Sequence, residues 1–360
     1  MMARDHVGYR ELGTELWQNL KDRSILVTGG TGSFGTGFVA TVLRWAEPKR
    51  IIVLSRDELK QHEMRQRFPS PRLGFFLGDV RDRDRLYRAF KADVDIVIHA
   101  AALKQVPSCE YNPFEAVKTN VLGAQNVIDA AIDCGVPKVM AISTDKAVNP
   151  VNIYGATKLC AEKLFVQGNA YAGGRATRFS CVRYGNVLGS RGSFLPQLMK
   201  QKVQGKILIT DPRMTRFWMT TRQAVEFVVS SINLMQGGEV FVPKVPSMRL
   251  EDLVSALAPD CETIVTGSRP GEKLHEILLA EEESRHAVDL GDRYVILPEH
   301  ATWGQPPDFP GKKLPEGFVY NSDSNTQWLT IEGLQWLIAE ELDLADVFPP
   351  EPAEFPVEPN

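Results

Sequence analysis

A hydroxyl, a carboxylate and an amine occupy consecutive positions at Thr144, Asp145 and Lys146, and a phenol and a second amine follow at Tyr154 and Lys158. Asp145 and Lys146 offer an acid and a base side by side. Tyr154 and Lys158 are four residues apart, which on a helix places them on one face. An ammonium beside a phenol stabilises the phenolate, so a tyrosine that ordinarily titrates at about 10 can serve as a base nearer neutrality. One Tyr-x-x-x-Lys spacing arises by chance in many helices. Here the acid and base just before it, and a glycine-rich turn far upstream, turn the spacing into a chemical proposition.

These side chains need a platform. Residues 139–142 form an apolar run that reads as a buried strand, so Ser143 to Lys146 emerge at its carboxyl end, where open parallel sheets hold their ligands. Much earlier, a strand at 24–28 runs into Gly29-Gly30-Thr31-Gly32-Ser33-Phe34-Gly35 and then a helix-like run from about Thr36. Gly29, Gly32 and Gly35 suit a tight turn, close approach of a pyrophosphate and close packing of the new helix, whose first amides face the anion. With Thr31, Ser33 and Phe34 they predict a dinucleotide cradle.

The second strand, 50–54, ends in Ser55, Arg56, Asp57 and Lys60. Ser55, Arg56 and Lys60 suit a 2′-phosphate, which favours NADP, while Asp57 leaves NAD open. A third strand at 75–77 brings Asp79 and Val80 toward the adenine. A fourth, 95–99, opens into Ala100 and Ala101, small enough for close approach, with Lys104 beyond them in reach of cofactor or substrate. His99 reads as a packed core residue. Helical periodicity over 113–134 turns Thr119 and Asn120 to the cofactor side, and a sixth strand, 177–184, leads to Asn186, an uncharged amide for a sugar or phosphate. From 188 on, clusters around Arg191, around Arg213, Arg216 and Trp218, and around Arg269, Glu272 and Lys273 would hold a diphosphate and stack a base; Thr210 is placed with them.

The fold class that follows is α/β, a Rossmann-like doubly wound parallel sheet with a smaller mixed α/β substrate-binding domain. The expected divisions are an N-terminal extension (1–23), an NADP-binding domain (24–187), a mainly substrate-binding part (188–343) with segments returning to the first, and a disordered acidic, proline-rich tail (344–360). Leu12, Leu16, Trp17 and Leu20 form a helical stripe expected to dock on the body. With 43% hydrophobic and 24% charged residues the 360-residue chain is an ordinary globular composition, and a net charge of −4 argues against nucleic acid or an anionic membrane as partner. Five scattered cysteines lack metal-ligand spacing and suit a reducing compartment, so no metal and a cytoplasmic location are expected. No run is long enough to span a bilayer.

The motifs at 28–35, 55–60, 143–158, 183–193, 215–218 and 269–273 together resemble the extended short-chain dehydrogenase/reductases, and within them the inverting UDP-N-acetylglucosamine 4,6-dehydratases of pseudaminic acid synthesis. The resemblance implies UDP-N-acetylglucosamine as substrate, a tightly held and recycled NADP, and a homo-oligomer. It implies Tyr154 as base toward the 4-hydroxyl, with Lys158 lowering its pKa and Thr144 assisting. Lys146, held neutral by burial or neighbouring cations, would take the carbon 5 proton, and Asp145 would act as acid toward the departing 6-hydroxyl. The capsule and lipopolysaccharide dehydratases share Thr-Asp-Lys but typically carry methionine where this chain has Tyr154, although the stretch 102–110 is more like theirs. A UDP-hexose 4-epimerase and a non-catalytic NADP sensor are the remaining readings; the first needs no elimination machinery, and the second commonly lacks the tyrosine and lysine.

Overall fold

The computed structural model describes residues 15–346, without the side chains of residues 342–346. The chain begins with α1 (Glu15–Gln18), β1 (Ser24–Thr28), α2 (Ser33–Trp45), β2 (Arg50–Ser55), α3 (Glu58–Arg67), β3 (Leu73–Leu77), α4 (Arg83–Phe90) and β4 (Ile96–His99). It continues through α5 (Val106–Tyr111), α6 (Pro113–Ala116), α7 (Gly123–Asp133), β5 (Lys138–Thr144), α8 (Ile153–Ala172) and β6 (Arg178–Tyr184). Strands covered on both faces need apolar residues at successive rather than alternate positions. Ile25, Leu26 and Val27 in β1 and Ile96, Val97 and Ile98 in β4 meet that need and are buried.

The remaining elements are β7 (Asn186–Val187), α9 (Phe194–Lys202), β8 (Lys206–Ile209), β9 (Thr215–Met219), α10 (Thr221–Leu234), β10 (Val240–Pro243), β11 (Ser247–Arg249) and α11 (Leu250–Leu257). Then come β12 (Glu262–Val265), β13 (Ile277–Leu279), β14 (Ala287–Asp289), β15 (Arg293–Ile296), β16 (Lys312–Lys313), β17 (Tyr320–Asn321) and α12 (Ile331–Asp346). The main sheet runs β16-β14-β15-β10-β6-β5-β4-β1-β2-β3. From β3 to β10 neighbouring strands are parallel, and β15, β14 and β16 add an antiparallel margin. The direction of winding reverses between β1 and β4, which opens a crevice beyond their carboxyl ends.

Residues after 188 thus supply part of this same sheet, and α10 packs on α2 beside it. The rest form small sheets, β11-β9-β7, β12-β8 and β13-β17, around a second apolar cluster that includes Leu198, Ile207, Trp218, Leu253 and Leu334. Each fully buried side chain of this size contributes roughly 1.5–3 kcal/mol relative to exposure.

Three local expectations change. The helix after the glycine turn starts at Ser33, not near Thr36, because extended Gly32 already serves as its N-cap. The helical stretch 113–134 is broken by a π-helical segment, Val117–Leu122, between α6 and α7. At the C-terminus α12 continues through Asp346, past the expected start of the tail at 344, while 347–360 lie outside the described residues. Leu16, Trp17 and Leu20 are buried, with Asn233 Nδ2 donating to the Leu16 carbonyl at 3.2 Å; Leu12 falls outside the described residues. Among the described residues no helix is long and apolar enough to cross a membrane, and no group of side chains could hold a metal ion.

Candidate active site

A cleft of about 930 Å³ lies at the carboxyl ends of the parallel strands, bounded by the glycine turn, the ends of β2, β4 and β5, and the loops around Arg191 and Arg269. Six buried polar atoms without a hydrogen-bond partner belong to residues lining it: Thr119 Oγ1, Ser143 Oγ, Asp145 Oδ2, Ser193 Oγ, Trp218 Nε1 and Glu276 Oε2. Buried polar atoms normally find partners within the protein, so their concentration marks a wall completed by a ligand.

The turn fits a dinucleotide. Gly29 has φ +67°, and a Cβ there would lie 2.8 Å from the Ala101 backbone. A Cβ on Gly35 would fall on the Gly30 backbone. Only glycine therefore lets the turn close tightly enough for a phosphate to meet the free amides of α2's first turn. Thr31, Gly32, Ser33, Phe34, Ser55, Arg56, Asp57, Lys60, Asp79, Val80, Ala100, Ala101 and Lys104 all line the same cleft.

Around the ends of β2 and β3 the charges form ion pairs within the protein. Asp57 caps α3 through the Lys60 amide at 3.0 Å and meets Lys60 Nζ at 2.6 Å, contacts that hold its carboxyl below the ordinary range. Arg56 lies 3.5 Å from Asp79, which Arg81 grips at 2.7 Å. Burial works against the Asp79 carboxylate, but these arginines hold its pKa down. Asn120 is a correction. It does not line the cleft: its amide accepts from the Leu103 N–H at 2.8 Å, and its two amide hydrogens go to the Leu103 carbonyl and Thr157 Oγ1 at 3.0 Å each, leaving no donor for a cofactor. Thr119, on the same π-helical segment, does face the cleft.

β5 delivers Thr144 at its last position, and a 3₁₀ turn, Asp145–Ala147, follows at once. Thr144 Oγ1 donates to Asp145 Oδ1 at 2.8 Å, and Lys146 Nζ donates to the same oxygen at 3.1 Å. The carboxylate of Glu276 stands 3.4 Å from Lys146 on the other side. Burial disfavours the Lys146 ammonium, but the two carboxylates outweigh it and hold its pKa above the ordinary value. The expectation of a neutral lysine at rest is therefore corrected. The Asp145 pKa also rises, but there burial prevails: reinforced by Glu276, it raises the carboxyl despite Lys146.

α8, capped by Asn152 through the Gly155 amide at 2.8 Å, presents Tyr154 and Lys158 to the cleft. Lys158 Nζ donates to the Ile142 carbonyl at 2.7 Å, and burial lowers its pKa. Burial pushes the Tyr154 phenol up to about 12, against the pull of Lys146 and the Thr144 hydroxyl. His99 is a core residue, bonded to Thr28 Oγ1 at 2.8 Å, with its pKa depressed by burial to about 3.

Of the residues expected on the substrate side, Lys104, Asn186, Arg191, Thr210, Arg216, Arg269 and Glu272 line the cleft. Arg191 sits against the glycine turn, its guanidinium on the Thr31 carbonyl and its amide 2.9 Å from Ser33 Oγ, so it faces the cofactor half. Arg213 does not reach the cleft; it is clamped on Asp211 at 2.7 Å with its side chain 74% exposed. Arg216 donates to the carbonyls of Thr215, Lys273 and Leu274. Lys273, grouped with the phosphate-binding cluster, instead donates to the Val148 carbonyl at 2.5 Å and pins the turn behind Asp145. Glu276 has no counterpart among the expectations. It stands just before β13, three residues past Lys273, and nothing in its local sequence distinguishes it from a surface glutamate.

Comparison with known proteins places this geometry. Residues 25–298 match the polysaccharide biosynthesis protein family. A protein of Campylobacter jejuni (serotype O:23/36, strain 81-176) named UDP-N-acetylglucosamine 4,6-dehydratase (inverting) is 51% identical over 85% of this chain and 94% of its own length. A Rickettsia conorii protein named UDP-glucose 4-epimerase is 44% identical over 76% of this chain and 83% of its own. Among solved structures, Pen from Bacillus thuringiensis superposes with a TM-score of 0.82 at 38% identity, covering 90% of this chain and 99% of that one. With a match spanning most of its length and relatives this similar, the chain belongs to the polysaccharide biosynthesis protein family.

Proposed function

We propose that the chain is an inverting UDP-N-acetylglucosamine 4,6-dehydratase that uses NADP and forms UDP-2-acetamido-2,6-dideoxy-β-L-arabino-hex-4-ulose. The observation that carries this reading is the meeting of a carboxyl, an amine and a phenol, Asp145, Lys146 and Tyr154, in the cleft that also holds a dinucleotide-type glycine turn. The printed name of the 51% identical relative supports it. Dehydration needs both an acid and a base for elimination, beyond the phenol that oxidation requires.

When bound, the nicotinamide supplies a hydride acceptor for carbon 4 and a hydride donor for carbon 6. The turn from Gly29 to Gly35 would hold its pyrophosphate, with Arg56, Lys60 and Arg191 disposed toward a 2′-phosphate. Tyr154 takes the proton of the 4-hydroxyl; the charge of Lys146 and the Thr144 hydroxyl favour its phenolate. Lys158 lines the cofactor half, anchored on Ile142. Asp145, its carboxyl raised by burial, is the acid toward the departing 6-hydroxyl, and Lys146 receives the proton of carbon 5. Lys104, Asn186, Thr210, Arg216, Arg269 and Glu272 line the half left for the UDP-sugar.

A proton NMR time course with UDP-N-acetylglucosamine in deuterated water tests the proposal. A 6-methyl signal, deuterium at carbon 5 and inverted couplings there are expected. The Rickettsia relative favours UDP-hexose 4-epimerisation as the second reading; it would leave the 6-hydroxymethyl signals in place and generate a 4-epimer.

A further inference from the structure

Glu276 is 2% exposed and lies 130 residues from Lys146 in sequence, yet its Oε1 stands 3.4 Å from Lys146 Nζ and 3.7 Å from Arg216 Nε. Its Oε2, 3.9 Å from Lys273 Nζ, has no hydrogen-bond partner. A buried carboxylate is costly unless matched by charge, and here three cations from three segments converge on it. Its backbone is fixed as well, the amide donating to Ser322 Oγ at 2.9 Å. The result is an ammonium held between two carboxylates, with one of them, Asp145, also bonded to Thr144.

We propose that Glu276 is a positioning residue of the acid/base centre, fixing Lys146 between itself and Asp145 so that the proton the lysine must shed passes to Asp145. This rests on the dehydratase reading. The transfer leaves an amine on Lys146 and a carboxylic acid on Asp145. From the 4-keto sugar the amine then takes the carbon 5 hydrogen as a proton, the C–H electron pair forms the bond between carbons 5 and 6, and the C6–O bond breaks as Asp145 protonates the hydroxyl. Water leaves, and the ammonium and carboxylate are restored with no net gain or loss of protons on the protein. Glu276 stays ionised in this exchange because Lys146, Arg216 and Lys273 surround it, which makes Asp145 the acceptor. The other groups that bear on Lys146 are Arg216 on β9, which opposes its charge, Lys273 just before β13, Tyr154 on α8 and Lys104 in the loop after β4, and none replaces the second carboxylate.

Glu276→Gln keeps the shape and removes the charge. Two measurements on the full-length protein test the proposal. Competitive acetylation across a pH series, read by peptide mass spectrometry, follows the ionisation of Lys146, whose side chain is 29% exposed and so reachable. The variant should titrate at least one pH unit below the parent, and an unmoved titration overturns the proposal whatever the substrate proves to be. In turnover, kcat should fall at least tenfold with KM within twofold, reduced nicotinamide should accumulate because oxidation at carbon 4 outruns elimination, and Glu276→Asp should recover part of the rate. Parent-like kcat in Glu276→Gln also overturns it. If the parent itself leaves UDP-N-acetylglucosamine unchanged while the Lys146 titration shifts as expected, the dehydratase reading has failed and the positioning of Lys146 stands.

Discussion

Lys158 Nζ donates to the carbonyl oxygen of Ile142 at 2.7 Å, which ties the helix carrying Tyr154 to the strand that carries Thr144, Asp145 and Lys146. The lysine thereby ties two halves of the site together. Control of Tyr154 falls to Lys146 and Thr144, which oppose its burial.

Tyr154→Phe should consequently lower kcat/KM by about 10²–10⁴-fold, the usual size of a positioned acid or base. Its dissociation constant for the dinucleotide should stay within threefold. Because the reactive form is the phenolate and burial raises the phenol to about 12, the parent rate should climb as pH rises from 6 to 9, and that slope should vanish in the variant. Steady-state rates across this range, with dinucleotide titration at one pH, check the assignment; a parent-like rate in the variant refutes it.

Gly35→Ala adds one carbon where the Gly30 backbone already stands. The flexible neighbour that would absorb such a contact elsewhere is missing, since the obstacle is main chain. Overpacking of this kind costs about 1–3 kcal/mol, and here the strain falls on the phosphate cradle. Dinucleotide affinity should weaken at least tenfold and Tm should fall by several degrees, measured by calorimetric titration and thermal melting.

Arg56 is 52% exposed and weakly held by Asp79 at 3.5 Å, which leaves its guanidinium available beside the end of β2. A charge-assisted contact to a 2′-phosphate contributes about 1.5–3 kcal/mol. Arg56→Ala should raise the Kd for NADP roughly 10-fold to 100-fold while leaving that for NAD within threefold. Equal loss for both cofactors, in paired titrations, would show that Arg56 does not discriminate between them.

What could be read along the chain was local. Ile25 to Val27 announced a doubly covered strand, Gly29 to Gly35 a phosphate turn, and Thr144 to Lys158 the chemistry, because each rests on neighbours within a few residues. What failed depended on partners that the local pattern does not reveal, most of them distant in the chain. Asn120 looked free until Leu103 and Thr157 took its amide, Arg213 looked like a phosphate ligand until Asp211 closed on it, and Lys146 looked like a candidate for a depressed pKa until Glu276 arrived from the far half of the chain. A side chain's type suggests what it can do, but its ionisation is set by whichever charges the fold brings to it.

The same principle applies away from the cleft, where α12 docks on the start of α10. Glu340 Oε2 accepts from Thr220 Oγ1 at 3.3 Å, and Glu341 accepts from the Thr221 amide at 2.6 Å. Burial raises Glu340 from 4.5 to about 7, with Arg222 opposing and Glu226 and Glu341 reinforcing the rise. A carboxyl whose folded pKa lies above its unfolded one stabilises the fold while protonated, and that contribution is lost as pH climbs from about 4.5 through about 7. The shift corresponds to about 3 kcal/mol if taken in full, and to roughly 1–2 kcal/mol after allowing for solvent screening at a partly exposed site. Glu340→Gln removes the ionisation while keeping an acceptor for Thr220. Thermal melts should therefore show the variant matching the parent at pH 4.5 and melting several degrees higher at pH 8. A parent equally stable at both values relative to the variant would mean that Glu340 ionises freely in the folded protein.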